Sequence, residues 1–231
     1  MMFSNAMCVC CRSKSADMKF RTAVKNGVGG IGICGRCFDR LQRTGPTMSF
    51  DAERTADYII SPFYYADRLR DALLDHKFKD AVSYSDVFLA LMEDALEGIK
   101  YMLGEFDILV PVPLSRRRVN ERGYNQAELI AKPLAEFIGI EYRDDILKRN
   151  KNTRHQAGLR NYERMTNVKG AFSASEDADG KSVIIFDDIY TTGSTIEECA
   201  KTLKQMGAGK IIGLTFSITK RNLITPEARL F

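Results

Sequence analysis

Residues 183–195 read VIIFDDIYTTGST, and the order of residue types in that stretch decides the fold. Val183, Ile184, Ile185 and Phe186 form a continuous apolar run, the pattern of a strand covered on both faces. Asp187 and Asp188 stand at its carboxyl end, and a loop of Thr, Gly and Ser follows at once. Residues 193–206 then carry Ile196, Cys199, Leu203 and Met206 at helical spacing, with Gly207 as the stop. Open α/β sheets bind ligands at an edge of this kind.

The rest of the chain extends the same architecture. FDILV at 106–110 is a second buried strand, ended by Pro111-Val-Pro113, and 210–218 predicts a third. Residues 57–65 predict a strand interrupted by Pro62, and 143–148 a further one. Helices are expected over 66–78, 85–103 and 125–138, with Gly139 closing the last. Residues 151–169 are polar, basic and weakly periodic, which reads as a mobile loop. Strands alternating with helices give an α/β class with a mostly parallel sheet.

The chemistry of the loop follows from its residues. Gly193 lets the backbone approach a ligand oxygen. Successive amides of Thr191, Thr192, Gly193, Ser194 and Thr195 can face one concavity, and the helix start adds partial positive charge, which suits a phosphate. Asp187 and Asp188 would repel a phosphate, but suit the vicinal hydroxyls of a ribose a few ångströms away. The implied ligand is a ribose 5-phosphate unit. The plainer alternative is an ordinary strand-to-helix connection with an N-cap. Neither GxxxxGK[ST] nor GxGxxG is present. Arg116, Arg117, Arg118 and Arg122 cluster just past the FDILV strand, either as a solvated basic loop or as a grip on a polyanion.

Five of the six cysteines lie before residue 38. Cys8-x-x-Cys11 and Cys34-x-x-Cys37 form two knuckles, each able to give two thiolates to a tetrahedral zinc. Cys10 could replace Cys8 or Cys11, and a redox pair is the weaker alternative. Residues 1–46 have few large aliphatic side chains, so a metal staple would supply their stability. Cys199 fits a helix core. His76 and His155 are the only histidines, and neither completes a catalytic constellation.

The signature stretch resembles the phosphoribosyl pyrophosphate (PRPP) binding motif of type I phosphoribosyltransferases. The remainder resembles one branch, the ComF family of competence-associated proteins, through the CxxC pairs, PVPLSRRRVNERGYNQAE at 111–128, TRHQAGL at 153–159 and the signature itself, in that order. Tyr190 is bulkier than the residue expected at that position. The resemblance covers nearly the whole chain. It implies a type I phosphoribosyltransferase fold over 47–231, including a hood segment over 57–103, behind a small zinc ribbon or knuckle over 1–46. Asp187 and Asp188 would contact ribose hydroxyls and 191–195 the 5-phosphate. Leu114, Ser115 and Arg116, with Arg118 and Arg122, would form the pyrophosphate loop. Arg149, Thr153, Gln156 and Arg160 would belong to a flexible loop that closes the site. Mg²⁺ would accompany PRPP, and Zn²⁺ would be structural.

Two function classes follow. One is an enzyme passing a phosphoribosyl group to an unidentified acceptor. The other is a non-catalytic competence accessory that binds PRPP or single-stranded DNA, through basic residues over 143–169 and the zinc knuckle. The net charge of +4 neither demands nor excludes a polyanion. No apolar run suits a membrane span or a signal peptide, so the cytoplasm is the expected compartment.

Overall fold

The computed structural model describes residues 6–23, 30–44, 48–49, 54–78, 82–151 and 168–220. The chain begins with β1 (Ala6–Cys8), β2 (Lys14–Ser15), β3 (Met18–Ala23), β4 (Gly30–Cys34) and the short helix α1 (Gly35–Asp39). These strands form a four-stranded sheet in the order β2-β1-β4-β3. β3 and β4, which lie between the two cysteine knuckles in sequence, pair antiparallel. Few apolar residues are available here, and they are shared outward. Val9, Ile31 and Ile33 are buried in the same cluster as Leu69, Phe88 and Leu91 farther along the chain.

A second sheet forms from β5 (Met48–Ser49), β6 (Tyr58–Ile60), β7 (Phe63–Tyr64), β8 (Ile108–Pro111), β9 (Glu141–Tyr142), β12 (Val183–Tyr190) and β13 (Ile211–Ile218). Its order is β5-β6-β13-β12-β8-β9, with β7 also on β13. All its pairings are parallel except β5 with β6. Pro62 splits β6 from β7, as its missing donor requires. Separately, β10 (Leu147–Arg149) pairs antiparallel with β11 (Phe172–Ala174). The strand expected over 143–148 is therefore shifted, and Arg143–Asp145 turn instead around one guanidinium: Arg143 bonds Asp145 at 2.7 Å and Asp177 at 3.1 Å.

The helices are α2 (Asp67–Phe78), α3 (Tyr84–Leu96), α4 (Lys100–Leu103), α5 (Arg116–Arg122), α6 (Gln126–Ile138) and α7 (Ser194–Gln205). The single helix expected over 85–103 is broken by a 3₁₀ turn, Glu97–Ile99, that contains the weak helix former Gly98. The basic stretch after Pro113, open between loop and polyanion grip, is the helix α5, ended by Gly123 at φ +77°. Among the described residues, no helix is long and apolar enough to cross a membrane.

β12 is the axis of the molecule. Its side chains alternate between two cores. Ile184 and Phe186 pack with α3 and α6 through Phe88, Ile130 and Leu134. Val183 and Ile185 pack with α7 through Cys199 and Leu203. Cys199 is thus a helix core residue, with no exposed surface.

Candidate functional site

The register of β12 creates an opening. On one side it pairs with β13 from Val183 to Tyr190. On the other it pairs with β8 only from Val183 to Phe186, because β8 stops at Pro111. The last rung there is the Val112 amide donating to Phe186 O at 2.8 Å, and Pro113 has no donor to continue. Beyond Phe186, β12 therefore has no ladder pairing with β8. The chain leaves β8 for β9 on one side, while β12 lies on the other, so this gap is also where the strand order reverses. A cavity of about 360 Å³ occupies it, lined by every residue from Asp187 to Ile196.

The two-residue period of the strand sends the two acids apart. Asp188 continues the Ile184–Phe186 face and meets α2, where it takes a hydrogen-bonded ion pair from Lys77 at 2.6 Å. Asp187 continues the other face and accepts from the Asp188 amide at 2.9 Å. Burial and then the Asp188 charge push the Asp187 carboxyl up to about 7. Burial pushes Asp188 up as well, but the Lys77 charge and hydrogen bond outweigh it, and the net direction is down. Burial thus shifts Asp187 toward its neutral form, while Lys77 favours the carboxylate of Asp188.

The loop behind them is shaped for an anion. Gly193 has φ +73° and precedes α7, whose Glu197 amide donates to Gly193 O at 2.9 Å. Thr192 and Ser194 join hydroxyls at 2.6 Å. Thr219 supports the loop from β13's end, its amide on Tyr190 O at 3.1 Å and its hydroxyl on Thr191 O at 3.3 Å. Glu197 accepts from the Thr55 amide at 3.0 Å and hydroxyl at 2.8 Å, which holds Arg54 over Tyr190 and near Thr192 O.

The arginines sort by helix face. Arg118 and Arg122 of α5, one turn apart, line the cavity with Leu114, and Arg149 joins from the end of β10. Burial lowers all three guanidiniums, while the signature acids pull the other way: Asp187 and Asp188 on Arg118, Asp188 on Arg122 and Asp187 on Arg149. Arg117 faces solvent, paired to Glu121 at 2.7 Å. Ser115 is buried as the N-cap of α5 and Arg116 is exposed; neither lines the cavity. Thr153, Gln156 and Arg160 lie outside the described residues, as does most of 151–169.

Sequence reasoning missed one wall. Tyr65, and Arg70, Leu74 and Lys77 along one face of α2, line the same cavity. The GYNQ stretch at 123–126 bolts that helix in place. Tyr124 Oη donates to His76 O at 2.7 Å, and Gln126 Nε2 to Lys77 O at 3.5 Å. Asn125 donates to Val112 O at 3.1 Å and caps α6 by accepting from the Ala127 amide at 3.2 Å. His76 itself is buried on Ser85 Oγ at 2.8 Å and against Phe88, a structural position.

The four knuckle cysteines also converge. The Sγ atoms of Cys8, Cys11, Cys34 and Cys37 all lie within 4.8 Å of one another, and Cys11 and Cys34 are 3.9 Å apart. A tetrahedron with Zn–S bonds of about 2.3 Å has edges of about 3.8 Å, so the set fits that ion. Backbone amides of Cys11 and Cys34 reach Cys8 Sγ, each at 3.5 Å. A hydrogen bond from Cys10 lowers the Cys8 thiol most, followed against burial by those two amides, to about 3. Cys10 is the protonated neighbour of the set.

The phosphoribosyl transferase domain family matches residues 121–226. Competence protein F of Haemophilus influenzae is 29% identical over 220 residues, covering 91% of this chain and 96% of that protein. Competence protein ComFC of Streptococcus pneumoniae is 32% identical over 158 residues, covering 68% of this chain and 66% of its own. DNA utilization protein YhgH of Escherichia coli is 35% identical over 105 residues, and the match spans 46% of each chain.

Proposed function

The chain belongs to the ComF family of phosphoribosyltransferase-like proteins, and we propose that it binds PRPP with Mg²⁺ and transfers its phosphoribosyl group to an acceptor. The observation that carries this reading is the split pairing of β12. It sets Asp187 and Asp188 beyond the end of β8, on the same cavity as the 191–195 loop and Arg118, Arg122 and Arg149.

Each part has a role in this reading. Asp187 and Asp188 accept the ribose hydroxyls. The amides around Gly193 and the start of α7 hold the 5-phosphate. Arg118, Arg122 and Arg149 meet the pyrophosphate with planar forks suited to its oxygens. The described cavity offers only two carboxylates, both engaged at the ribose, so Mg²⁺ would be held mainly by pyrophosphate oxygens and water. It supplies charge neutralisation of the leaving group. The protein's own contribution is orientation and a fixed positive field as the anomeric carbon becomes cationic and pyrophosphate departs. The four-cysteine cluster holds Zn²⁺ structurally.

Calorimetry with PRPP and Mg²⁺ tests the site. Asp187→Ala and Asp188→Ala should each weaken binding by about tenfold to a hundredfold, the scale of one charge-assisted hydrogen bond. Unchanged affinity in both variants would remove the basis of the reading.

The names of the relatives favour a second reading, a competence role in which the same site binds ligand without turnover and the chain grips single-stranded DNA. Such binding would lose about 0.7 log units of affinity per tenfold rise in salt for each phosphate neutralised. Arg143 is poorly placed for it, being tied to Asp145 and Asp177. Pyrophosphate release from PRPP across an acceptor panel, beside a DNA titration over salt, separates the two readings.

A further inference from the structure

The cysteine module and the cavity meet on one turn of α2. Three consecutive side chains there anchor on three different elements. His76 is buried on Ser85 Oγ at 2.8 Å, near the start of α3. Lys77 reaches Asp188 of β12 at 2.6 Å, inside the cavity. Asp75 points the other way and takes the guanidinium of Arg12, in the first cysteine knuckle, at 2.6 Å. Residues two apart on a helix are turned by about 200°, so Asp75 and Lys77 leave α2 on nearly opposite faces.

Arg12 is part of the knuckle itself. It follows Cys11 directly, and its amide donates to Cys8 O at 2.8 Å, closing the turn that brings both cysteines to the four-sulfur cluster. Its φ is +60°, a conformation that glycine would adopt at lower cost. The strain sits at a residue whose side chain holds an acid of another element. That acid is the buried partner, its side chain 10% exposed against 55% for Arg12. A carboxylate so placed is left uncompensated when its cation is removed. The contact is also backed by packing. Leu69, Ala72 and Leu73 of α2 share one buried cluster with Cys10, Ile31 and Ile33 of the module.

We propose that Arg12 and Asp75 are positioning residues of the PRPP site, and that zinc and PRPP therefore bind cooperatively. The inference rests on the phosphoribosyl reading and goes beyond the structural role given to the metal. A knuckle closed on zinc fixes the turn at Arg12. Arg12 fixes α2 through Asp75, and α2 sets the Lys77 ammonium against Asp188. Held in this way, Lys77 keeps the Asp188 carboxylate charged and aimed for ribose hydroxyls. A knuckle without its metal lets the turn open, and α2 loses its outer anchor. By linkage, the factor that zinc adds to PRPP affinity is the factor that PRPP adds to zinc affinity.

The test uses the full zinc-loaded chain, with zinc content and thermal unfolding measured on every sample and binding measured well below each melt. Arg12→Gln changes a half-exposed side chain and touches no metal ligand, and Asp75→Asn removes the other end of the pair. Each should keep about one zinc, from the four-thiolate set that neither variant alters. Each should still weaken PRPP·Mg²⁺ binding by about fivefold or more in calorimetry, the lower end of ordinary coupling between sites. Lys77→Met removes the far end of the strut. In that background Arg12→Gln should change PRPP affinity by less than about twofold, because the two residues act through one another. Zinc affinity, read by chelator competition, should tighten by about fivefold or more with saturating PRPP·Mg²⁺ in the wild type, and by far less in Lys77→Met.

Unchanged PRPP affinity in zinc-loaded Arg12→Gln and Asp75→Asn overturns the proposal. So does an equal loss from Arg12→Gln with and without Lys77, which would mark a general loosening of the fold. A zinc affinity indifferent to PRPP overturns it as well. Failure of PRPP to bind the wild type brings down the phosphoribosyl reading first.

Discussion

A methyl group on Gly193 would run into the phenol of Tyr190, three residues back in the chain. Gly193 is thus fixed twice, by its φ of +73° and by the ring packed against it. The Arg54 guanidinium also lies there, but it is the end of a flexible side chain and can move, whereas Tyr190 is buried in the core under α7.

Gly193→Ala should therefore destabilise the ligand-free protein by about 1–3 kcal/mol, from left-handed strain plus collision. Thermal unfolding should show a fall of roughly 2–4 °C per kcal/mol for a chain of this size. In a Tyr190→Ala background the same change should cost less, because only the backbone strain remains. An identical cost in both backgrounds would mean that the ring is not the obstacle.

The protonation of Asp187 makes stability depend on pH in a stated direction. Its folded pKa is raised to about 7, first by burial and then by Asp188, against an unfolded value of about 3.9. Between those values the folded state keeps a proton that the unfolded chain has lost. Stability therefore falls as pH rises through that window and levels off above it. The charged groups facing this carboxyl are Lys77 and Asp188 from one side, Arg118 and Arg149 from the other, with Cys199 beneath. Asp187→Asn stays neutral throughout. Its melting temperature should match wild type near about pH 4 and exceed it near about pH 8. A gain of equal size at both ends would show that Asp187 is not the titrating group.

The strands that frame the site were legible because buried parallel strands leave continuous apolar runs, as at 106–110 and 183–186. The separation of the two acids was implicit in the strand period, since residues 187 and 188 must point to opposite faces. The α2 wall was not legible. Helical spacing groups Arg70, Leu74 and Lys77, but says nothing of which sheet edge that group will meet. Helix α5 was hidden for another reason: a run of arginines has no apolar period to reveal it. The one available signal was the spacing of Arg118 and Arg122, four apart, with Arg117 and Glu121 offset on the outer side. Ser115 and Arg116 could not be told from Arg118 without knowing that a helix turns them away.

The cysteine cluster makes the last prediction, and its consequences reach beyond the first sheet. Elemental analysis of the purified chain should find about one zinc, from the four-thiolate logic of a closed structural site. Cys34→Ser should lose the metal. It should also lower the unfolding temperature of the whole protein, because Val9, Ile31 and Ile33 are buried in one cluster with Phe88 and Leu91 of α3. Without the staple, that face of α3 loses its cover. Cys10→Ser separates ligand from neighbour. Cys10 is buried but lies outside the four-sulfur set. The variant should therefore keep its zinc. Zinc lost from Cys10→Ser but retained in Cys11→Ser would place Cys10 in the tetrahedron instead, and a local melt confined to the first sheet in Cys34→Ser would show that the shared core contributes little.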